Sequence, residues 1–335
     1  MSSVDVISEI NRVASELNKF ILENVSGEPT DLYQSSLHYI KSGGKRLRPF
    51  MTIKSSQLFG GTLEQSLPAA SAVELIHNFT LVHDDIMDND NLRHNVPTVH
   101  KEFGIPLAIL SGDVLFSKAF HIISFLGKKS GIDDSTLVKM IGLLSSSCID
   151  VCEGQSMDIQ MAQDSDFSSK DYYINMIKKK TAALFRVSCE LGTLSSQNFT
   201  HKDLENLSRF GEKIGISFQL VDDLIGIHGD SNVTGKFVGN DIREGKKTLP
   251  ILIAFERLDS KGKDLLRQVF GKKDASELEI KQIVDNIAQL KIDKEIRNIA
   301  NAYTQEAFEH LQTYDSSRAR TWLETSARYI VERSL

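Results

Sequence analysis

The sequence predicts an all-α protein, and two observations support that fold class. The chain of 335 residues has only six prolines, and none of them lies between Pro106 and Pro250. Throughout this interval Leu, Ile, Ala, Lys and Glu recur at helical spacing. No linker-like or low-complexity segment divides the chain, so we expect a single domain over residues 1–335.

Three helices can be located from their apolar period and their start signals. The first precedes an acidic cluster and contains no Pro or Gly; its apolar residues are Ala72, Val73, Leu75, Ile76, Phe79, Leu81 and Val82. The second covers residues 136–158 and starts after Ser135, and the third runs from Lys170 through Leu194 after Ser168-Ser169. Between residues 260 and 335 charged and apolar residues alternate in helical fashion, so we expect packing and dimer support there.

Charge and composition exclude several classes of protein. The formal charge is 39 minus 45, or −6, which leaves no basic excess for a nucleic-acid backbone. The N-terminus lacks the pattern of a signal peptide, and no window approaches the roughly 20 apolar residues of a membrane span. We therefore expect no stable membrane insertion. Cys148, Cys152 and Cys189 are interpreted as small apolar fillers in a reducing cytoplasm.

The acidic cluster Asp84-Asp85-Ile-Met-Asp88 predicts a metal site. Asp84 and Asp88 are four residues apart and so share a helix face, and Asp85 reaches the same edge. Carboxylates this close repel one another unless a cation neutralises them. Mg²⁺ suits the pattern because it takes one or two carboxylates plus substrate phosphate oxygens. The alternative is a solvated acidic helix end, which the strongly apolar run before the cluster disfavours.

A second carboxylate pair and several cationic segments complete the pattern. The pair is Asp222-Asp223, at the end of Phe-Gln-Leu-Val. Residues 43–49, Gly-Gly-Lys-Arg-Leu-Arg-Pro, place three cations in four positions, and the guanidinium fork suits phosphate. Further cations stand at Lys180-Thr181, Lys236 and Lys246-Lys247-Thr248. The sequence therefore predicts a site where carboxylates hold metal and cations hold phosphate.

From about residue 37 to residue 250 the ordered motifs resemble the trans-isoprenyl diphosphate synthases. The motifs that carry the resemblance are residues 43–49, Glu-Leu-Ile-His77, the first aspartate cluster, Pro97-Thr98-Val99-His100, Gly112-Asp113, Glu153-Gly154-Gln155 with Asp158, Lys180-Thr181, Phe218-Gln219 with Asp222-Asp223, and residues 239–248. The resemblance implies an all-α bundle of roughly a dozen helices around a central cavity, a homodimer and a cytoplasmic location.

The family resemblance also implies a reaction. An allylic diphosphate loses its diphosphate to give a carbocation, the double bond of isopentenyl diphosphate attacks it, and the released pyrophosphate takes the proton. Two to three Mg²⁺ ions would clamp the allylic diphosphate between the two aspartate helices. By the family pattern the metal ligands are Asp84, Asp88 and Asp222, while Asp85 and Asp223 orient metal waters and basic residues.

The remaining implied roles concern the two substrates. Residues implied to hold the allylic diphosphate are Arg93, Lys180, Lys236 and Lys246, with Thr181 and Gln219 turning oxygen dipoles toward the cation. Residues implied to hold isopentenyl diphosphate are Lys45, Arg48, His77 and His94. His77 lies two turns before Asp84 on the same helix face, which favours a site role over that of a core histidine.

The chain departs from the family pattern at three positions. His94 replaces the second arginine of Arg-Arg-Gly, so we expect weaker isopentenyl diphosphate binding, or binding that tightens as pH falls. Gly226 replaces the last aspartate of the second motif, and we expect activity to survive because Asp222 carries the third ion. Phe237 replaces a proline after Lys236, and nothing in the sequence explains it.

Product length is predicted from the residues just before the first cluster. Thr80 and Phe79 stand four and five positions before Asp84, about 6 to 7.5 Å along the helix. A small Thr80 above a bulky Phe79, with no insertion in the motif, resembles geranylgeranyl diphosphate synthases of the archaeal type. We therefore expect mainly the C20 product, with Phe79 as the floor of the chain cavity; ordinary core packing of Phe79 is the alternative.

Other functions remain open at this point. A farnesyl or longer-chain synthase would share every motif. A class I terpene cyclase also ionises an allylic diphosphate, but it does not need the second diphosphate site that Lys45 and Arg48 predict. A non-catalytic synthase subunit would explain His94 and Gly226 but usually loses its metal ligands first. A metal-dependent phosphohydrolase would leave the cation set unexplained.

Overall fold

The computed structural model describes residues 3–93, 95–164, 166–167, 169–228, 240–272 and 274–332. These residues are overwhelmingly helical, which confirms the all-α prediction. The strands within these ranges form one small antiparallel hairpin, in which Leu92 pairs with Pro97 and Arg93 with Val96. Of the residues singled out in the sequence, five lie outside the described part of the chain: His94, Ser168, Lys236, Phe237 and Gly239.

The helices and strands follow one another in this order. The first part contains α1 Ser3–Asn24, α2 Thr30–Ser36, α3 His38–Ser42, α4 Leu47–Leu58, α5 Leu63–Asp88, β1 Leu92–Arg93, β2 Val96–Pro97, α6 Val99–Phe103, α7 Ile105–His121, the π-helical turn π1 Ile122–Leu126 and α8 Gly127–Lys129. The second part contains α9 Asp134–Gln163, α10 Lys170–Ile177, the π-helical turn π2 Lys178–Ala182, α11 Ala183–Ser196, α12 His201–His228, α13 Asn240–Glu244, α14 Leu249–Arg257, α15 Ser260–Val269, α16 Glu277–Gln289, α17 Ile292–Leu311 and α18 Arg318–Val331.

These elements form two compact units. Unit 1 consists of the described residues up to Cys148, together with Leu184–Gly211 and His310–Ser326. Unit 2 consists of Ile149–Ala183, Glu212–Glu309 and the described residues from Ala327 onward. A single domain over the whole chain stays a prediction.

The helix that carries the first aspartate cluster is central to unit 1. A capping box of Thr62 and Gln65 starts α5, and the helix packs against α4 and α7. Its middle is buried on nearly all sides, including Val73, Leu75 and Ile76 at 0% exposure. A helix apolar all round belongs in a core, so the apolar run before Asp84 is explained by burial.

The predicted helix starts are right in one case and wrong in the other. Ser169 caps α10 by accepting a hydrogen bond from the Tyr172 backbone N–H at 3.2 Å, as its position indicated. Ser135 is not the cap of α9, because Asp133 accepts from the Thr136 backbone N–H at 3.0 Å and also binds the Ser135 hydroxyl. A carboxylate two residues earlier outcompetes the serine for the free amide groups of the first turn.

Two further sequence expectations need correction. Cys148 and Cys189 are buried, and burial raises the pKa of the Cys189 thiol to about 12, but Cys152 is exposed and fills no core space. Two helical stretches, Ile105–Lys129 and Asp134–Gln163, are long and apolar enough to cross a membrane by length and composition alone. The expectation that no window reaches this length was therefore wrong. Buried core helices of soluble proteins pass the same test.

Candidate active site

In unit 1 the first aspartate cluster divides into one buried carboxylate and two accessible ones. Asp85 is fully buried and accepts a hydrogen bond from the Tyr39 hydroxyl at 2.5 Å. Arg93, on β1, donates to it from Nε at 2.9 and 3.1 Å and from Nη2 at 2.5 Å. Asp84 and Asp88 are each partly exposed. The buried carboxylate is thus held by protein donors, while Asp84 and Asp88 keep part of their surface accessible to solvent.

The hairpin and the end of α5 explain why Arg93 reaches Asp85. Asn89 ends the helix in the left-handed conformation, with φ of 55°, and the chain turns back through β1. The Tyr39 hydroxyl also accepts a bond from the Val99 backbone N–H at 3.1 Å, which ties the segment after the hairpin to the same centre. Burial, together with the hydrogen bond and charge of Asp85, raises the pKa of Tyr39, so its hydroxyl keeps its proton.

Arg93 was predicted to hold the allylic diphosphate. In the structure its guanidinium binds Asp85, with the Asp90 carboxylate 3.8 Å away, and its side chain is 20% exposed. Through this contact Arg93 holds the Asp85 side chain in position. Its contact with a diphosphate stays a prediction.

A cationic group in unit 1 brings together residues predicted to bind isopentenyl diphosphate. Arg48 Nη1 lies 3.3 Å from His77 Nε2, and the guanidinium carbon lies 4.5 Å from the centroid of the Phe185 ring. Lys45 is exposed in the segment between α3 and α4, three residues before Arg48. The structure therefore joins Arg48 to His77 directly, across 29 residues of sequence.

Arg46, the remaining cation of the same segment, serves the fold. It is buried and donates from Nη1 to Glu74 Oε1 at 2.7 Å, from Nη2 to the Ile40 carbonyl at 2.7 Å and from Nε to Asn18 at 3.1 Å. Its backbone is left-handed, with φ of 48°. The sequence alone did not separate this structural arginine from its neighbours.

In unit 2 a chain of hydrogen bonds runs from Thr181 to the second aspartate pair. The Thr181 hydroxyl donates to Gln219 Oε1 at 2.7 Å, and Gln219 Nε2 donates to Asp223 Oδ1 at 2.6 Å. The Tyr173 hydroxyl donates to the other oxygen of Asp223. Asp222 is exposed, whereas Asp223 is 8% exposed. Like the first cluster, this pair therefore has one buried and one accessible aspartate.

Burial dominates the electrostatics of Asp223. Removal from water and the nearby charge of Asp241 raise the pKa of its carboxyl to about 8, against the lowering effect of the Tyr173 and Gln219 hydrogen bonds. Burial likewise raises the pKa of Tyr173 well above its ordinary value. Both phenol and carboxyl thus act as fixed hydrogen-bonding groups.

Lys180 lies on the π-helical turn π2, a local geometry that is frequent at functional sites. Its Nζ lies 2.5 Å from Asp158 Oδ2. Gly154 lets α9 approach this turn, because a Cβ there would stand 2.2 Å from the Lys180 backbone nitrogen. The Glu-Gly-Gln motif is thus explained by packing, which fixes the position of Lys180.

The departure at Gly226 has a physical reason in unit 2. A Cβ at this position would lie 2.7 Å from Asp241 Oδ2, so the Asp241 carboxylate already fills the space of a larger residue.

Lys246 lies 2.8 Å from Glu244 and is partly exposed. Lys247 is buried and donates to the carbonyl oxygens of Asp164 and Asp166, each at 2.7 Å, so it serves the fold.

The residues predicted to limit product length lie on α5 in unit 1. The Phe79 ring packs edge-on against His83 and Phe116, with centroids 4.8 and 5.3 Å away, and Phe116 continues the row to Phe120 at 5.0 Å. The Thr80 hydroxyl donates to the His77 carbonyl at 2.7 Å. Phe79 therefore belongs to an aromatic row between α5 and α7, which holds its ring in place.

Sequence reasoning missed three residues of these clusters. Tyr39 and Tyr173 hold Asp85 and Asp223 from 46 and 50 residues away, and Asp241 faces Gly226. The two tyrosines carry no local signal, because a buried tyrosine is ordinary in a helical core. Asp241 did have a local signal, because it stands in the Gly-Asn-Asp segment that is part of the family resemblance.

Comparisons with known proteins identify the family of this chain. The polyprenyl synthetase family model matches residues 29–287. The chain belongs to the polyprenyl synthetase family. It is 39% identical over 306 residues to a geranylgeranyl diphosphate synthase of Sulfolobus acidocaldarius, covering 91% of each chain. It is 38% identical over 336 residues to one of Saccharolobus solfataricus, covering 99% of each.

A solved structure extends the likeness to three dimensions. The crystal structure of a geranylgeranyl pyrophosphate synthetase from Pyrococcus horikoshii matches with a TM-score of 0.90 at 35% identity, covering 98% of this chain and 99% of that one. This match confirms the isoprenoid synthase type of fold. The family prediction made from the motif order is also confirmed.

Proposed function

We propose that the protein is a geranylgeranyl diphosphate synthase, which condenses isopentenyl diphosphate with C5 to C15 allylic diphosphates to give mainly the C20 diphosphate and pyrophosphate. One observation carries the proposal. Both aspartate motifs keep an accessible carboxylate beside a buried one that a tyrosine holds, and a separate cation group at Arg48 and His77 offers a second diphosphate site. Full-length similarity to named synthases supports it.

The carboxylates fit Mg²⁺, as the chemistry of the side chains that could bind the ion shows. Across the described ranges no three His, Cys, Asp or Glu side chains form a complete metal cage. Mg²⁺ does not need one, because it takes one or two carboxylates and completes its shell with water and phosphate oxygens. Asp84, Asp88 and Asp222 would hold the ions. When bound, Mg²⁺ neutralises the charge of the departing diphosphate and so lowers the barrier to ionisation.

The protein groups around these carboxylates do the positioning. Tyr39 and Arg93 hold Asp85, which keeps the end of α5 in one orientation beside Asp84. In unit 2, Tyr173 and Gln219 hold Asp223 in the same way, and Thr181 orients the Gln219 amide. Lys180 and Lys246 are the cations for the allylic diphosphate, and Arg93, Thr181 and Gln219 keep their predicted roles. Lys236 also keeps its predicted role, although it lies outside the described residues.

A second diphosphate site distinguishes chain elongation from cyclisation. Arg48 is the strongest candidate, since its contact with His77 and its position over Phe185 hold the guanidinium plane still. Lys45, which is exposed three residues earlier in the chain, adds a second positive charge. A terpene cyclase has no use for this group, and a silent subunit has no reason to keep two complete aspartate pairs.

The test incubates the purified protein with isopentenyl diphosphate, Mg²⁺ and each of the C5, C10 and C15 allylic diphosphates, and identifies products by mass spectrometry. We expect a C20 diphosphate from every primer. Lys45→Gln should raise the KM for isopentenyl diphosphate by about tenfold or more, whereas Lys41→Gln, which removes an exposed lysine of α3, should not. Cyclic hydrocarbon, or no condensation at all, would disprove the proposal.

Product length depends on Phe79 in this proposal. Phe79→Ser removes the ring from the aromatic row with Phe116 and opens space below the aspartates, so products longer than C20 should accumulate. The matched control is Phe125→Ser, at a side chain that is 61% exposed, and it should leave the products unchanged. Unchanged length in the Phe79 variant would assign the ring to core packing alone.

We also propose a homodimer, which would cover apolar side chains that the single chain exposes. On α7 these are Ile105, Ile109 and Leu110, at 53, 43 and 52% exposure, and on α9 Val138 is 71% exposed. Sedimentation of the wild-type chain should show a dimer, and Ile109→Glu combined with Val138→Glu should give monomers. A wild-type monomer would refute the dimer. The cytoplasmic location stays a prediction.

A further inference from the structure

A cavity in unit 1 has no part in the proposed reaction. It has a volume of about 440 Å³ and lies between α1, α4 and the start of α18. Its charged and aromatic lining consists of Glu9, Arg12, Lys54, Arg318 and Trp322. None of these residues belongs to the aspartate motifs or to the cation group of Lys45, Arg48 and His77, so the cavity requires a separate explanation.

A buried lysine forms one wall of the cavity. Lys54 is 2% exposed, and its Nζ donates to Glu9 Oε1 at 2.6 Å and to Gln57 Oε1 at 3.0 Å. Arg12 binds both oxygens of the same Glu9 carboxylate, each at 2.9 Å. Arg12 and Lys54 hold the pKa of Glu9 at about 2, so the carboxylate remains charged. Two cations therefore share one anion.

Arg318 adds a third cation that Glu9 does not balance. Its side chain makes no ion pair or hydrogen bond with any residue in the described part of the chain, and its charge acts on Lys54. With Arg12, Lys54 and Arg318 against Glu9, the lining carries three positive charges and one negative charge. Like charges gathered at a concave surface raise the local concentration of anions.

The lining also has an apolar part beside Lys54. Trp322 is 4% exposed, and the Lys54 Nζ lies 5.9 Å from the centroid of its ring. Arg318 offers a planar fork that suits phosphate oxygens, whereas Nε and Nη2 of Arg12 already bind Glu9 and Arg12 contributes mainly its charge. The net charge of the lining matches a phosphate dianion. Ala319 in the first turn of the 14-residue helix α18 also lines the cavity, where backbone N–H groups add to the attraction.

We propose that this cavity binds a small phosphate-bearing anion, with its phosphoryl group between Arg12, Lys54 and Arg318 and any organic part against Trp322. Inorganic pyrophosphate and a phosphate ester present the same group to the cations. They differ at the indole, because only an ester has an apolar part to place there.

The chain supplies its own probe, because Trp322 is the only tryptophan in the sequence. Inorganic phosphate, inorganic pyrophosphate and phenyl phosphate are each titrated into the full-length protein, with a chelator present to remove divalent cations. We expect a saturable change in tryptophan fluorescence that sodium chloride of equal ionic strength does not reproduce. Tighter binding of phenyl phosphate than of phosphate would favour an ester, and tightest binding of pyrophosphate would favour the inorganic ion.

Three variants test whether the fluorescence change comes from binding in this cavity. Arg318→Gln changes an exposed side chain and should weaken binding by about tenfold or more. Arg209→Gln, at another exposed arginine of unit 1, should leave binding unchanged. Arg48→Gln alters the proposed isopentenyl diphosphate site and should also leave the response intact. Circular dichroism checks that each variant is folded.

The proposal is overturned by either of two results. One is a response that Arg48→Gln removes and Arg318→Gln does not, which would place binding at the substrate site. The other is the absence of binding by both fluorescence and titration calorimetry at millimolar anion. The assay needs no turnover, so its outcome is independent of whether the protein elongates prenyl chains.

Discussion

The buried ion pair of Arg46 and Glu74 allows a quantitative test of how unit 1 supports its cation group. Glu74→Ala removes the carboxylate and leaves the guanidinium in place. The side chains of Arg46 and Glu74 are 5% and 2% exposed, so the remaining charge has little access to water. Asn78 Nδ2 also loses its 2.9 Å bond to Glu74 Oε1, although its bond to the Glu74 carbonyl remains.

The expected cost follows from that burial. Removing one partner of a buried ion pair destabilises a protein by about 3–5 kcal/mol, because the other charge stays buried without compensation. Arg46 keeps its bonds to the Ile40 carbonyl and Asn18, which places the estimate at the lower end, about 3 kcal/mol. Total folding free energies are about 5–15 kcal/mol, so the effect is easily measured.

Urea unfolding followed by tryptophan fluorescence is the appropriate assay. Trp322 lies in unit 1, as Arg46 does, so the signal reports the unit in which the pair is broken. Glu102→Ala, at an exposed glutamate of α6, serves as control and should change stability by about 0.5 kcal/mol or less. The double variant Arg46→Met with Glu74→Leu removes both charges and should recover most of the loss.

Activity supplies a second readout of the same perturbation. Arg46 stands between Lys45 and Leu47-Arg48, so a displaced guanidinium should raise the KM for isopentenyl diphosphate more than it lowers kcat. A cost below about 1 kcal/mol for Glu74→Ala would refute the reasoning, since it would mean that water reaches the pair. A double variant as unstable as the single one would also refute it.

Three further predictions test single contacts. Tyr39→Phe removes a hydrogen bond to the buried Asp85 carboxylate and should cost about 1.5–3 kcal/mol while raising the Mg²⁺ concentration needed for half-maximal activity; Tyr172→Phe is the control, and equal Mg²⁺ dependence in both would contradict the positioning role. Gly226→Asp should lower activity and the urea midpoint, because even its Cβ would lie 2.7 Å from an Asp241 oxygen; wild-type values would show that the space is larger than it looks. Burial lowers the pKa of His100, whose ring nitrogens have no hydrogen-bond partner among the described residues, so the unfolded chain binds the proton more readily and stability should fall as pH drops below about 6.5. In His100→Gln this part of the decline between pH 7 and 5 should disappear, and parallel curves for both proteins would rule the mechanism out.

The sequence was sufficient for the fold class and the family. These depend on short-range patterns: apolar period along α5, the spacing of Asp84 and Asp88, and the order of motifs along the chain. Helical periodicity and i, i+4 spacing are local properties that survive without knowledge of the partners. The start of α9 was misplaced by two residues, because Asp133 accepts the first-turn amide hydrogen bond that was assigned to Ser135.

Only the tertiary structure decided which of several similar residues does which task. Arg46 and Arg48 look alike in sequence, yet Arg46 is buried against Glu74 and Arg48 contacts His77. Lys246 and Lys247 are neighbours, yet Lys247 binds backbone carbonyls of a distant loop.

The two aspartate pairs show the same limit. A pair of adjacent carboxylates predicts a metal site, but burial divides each pair into an accessible member and one held by a tyrosine about 50 residues away. Burial is a property of the surrounding helices, and the partners come from sequence positions that carry no signal of their own. The sequence therefore determined which residue types meet at the site, and the packing of distant helices determined how each of them is used.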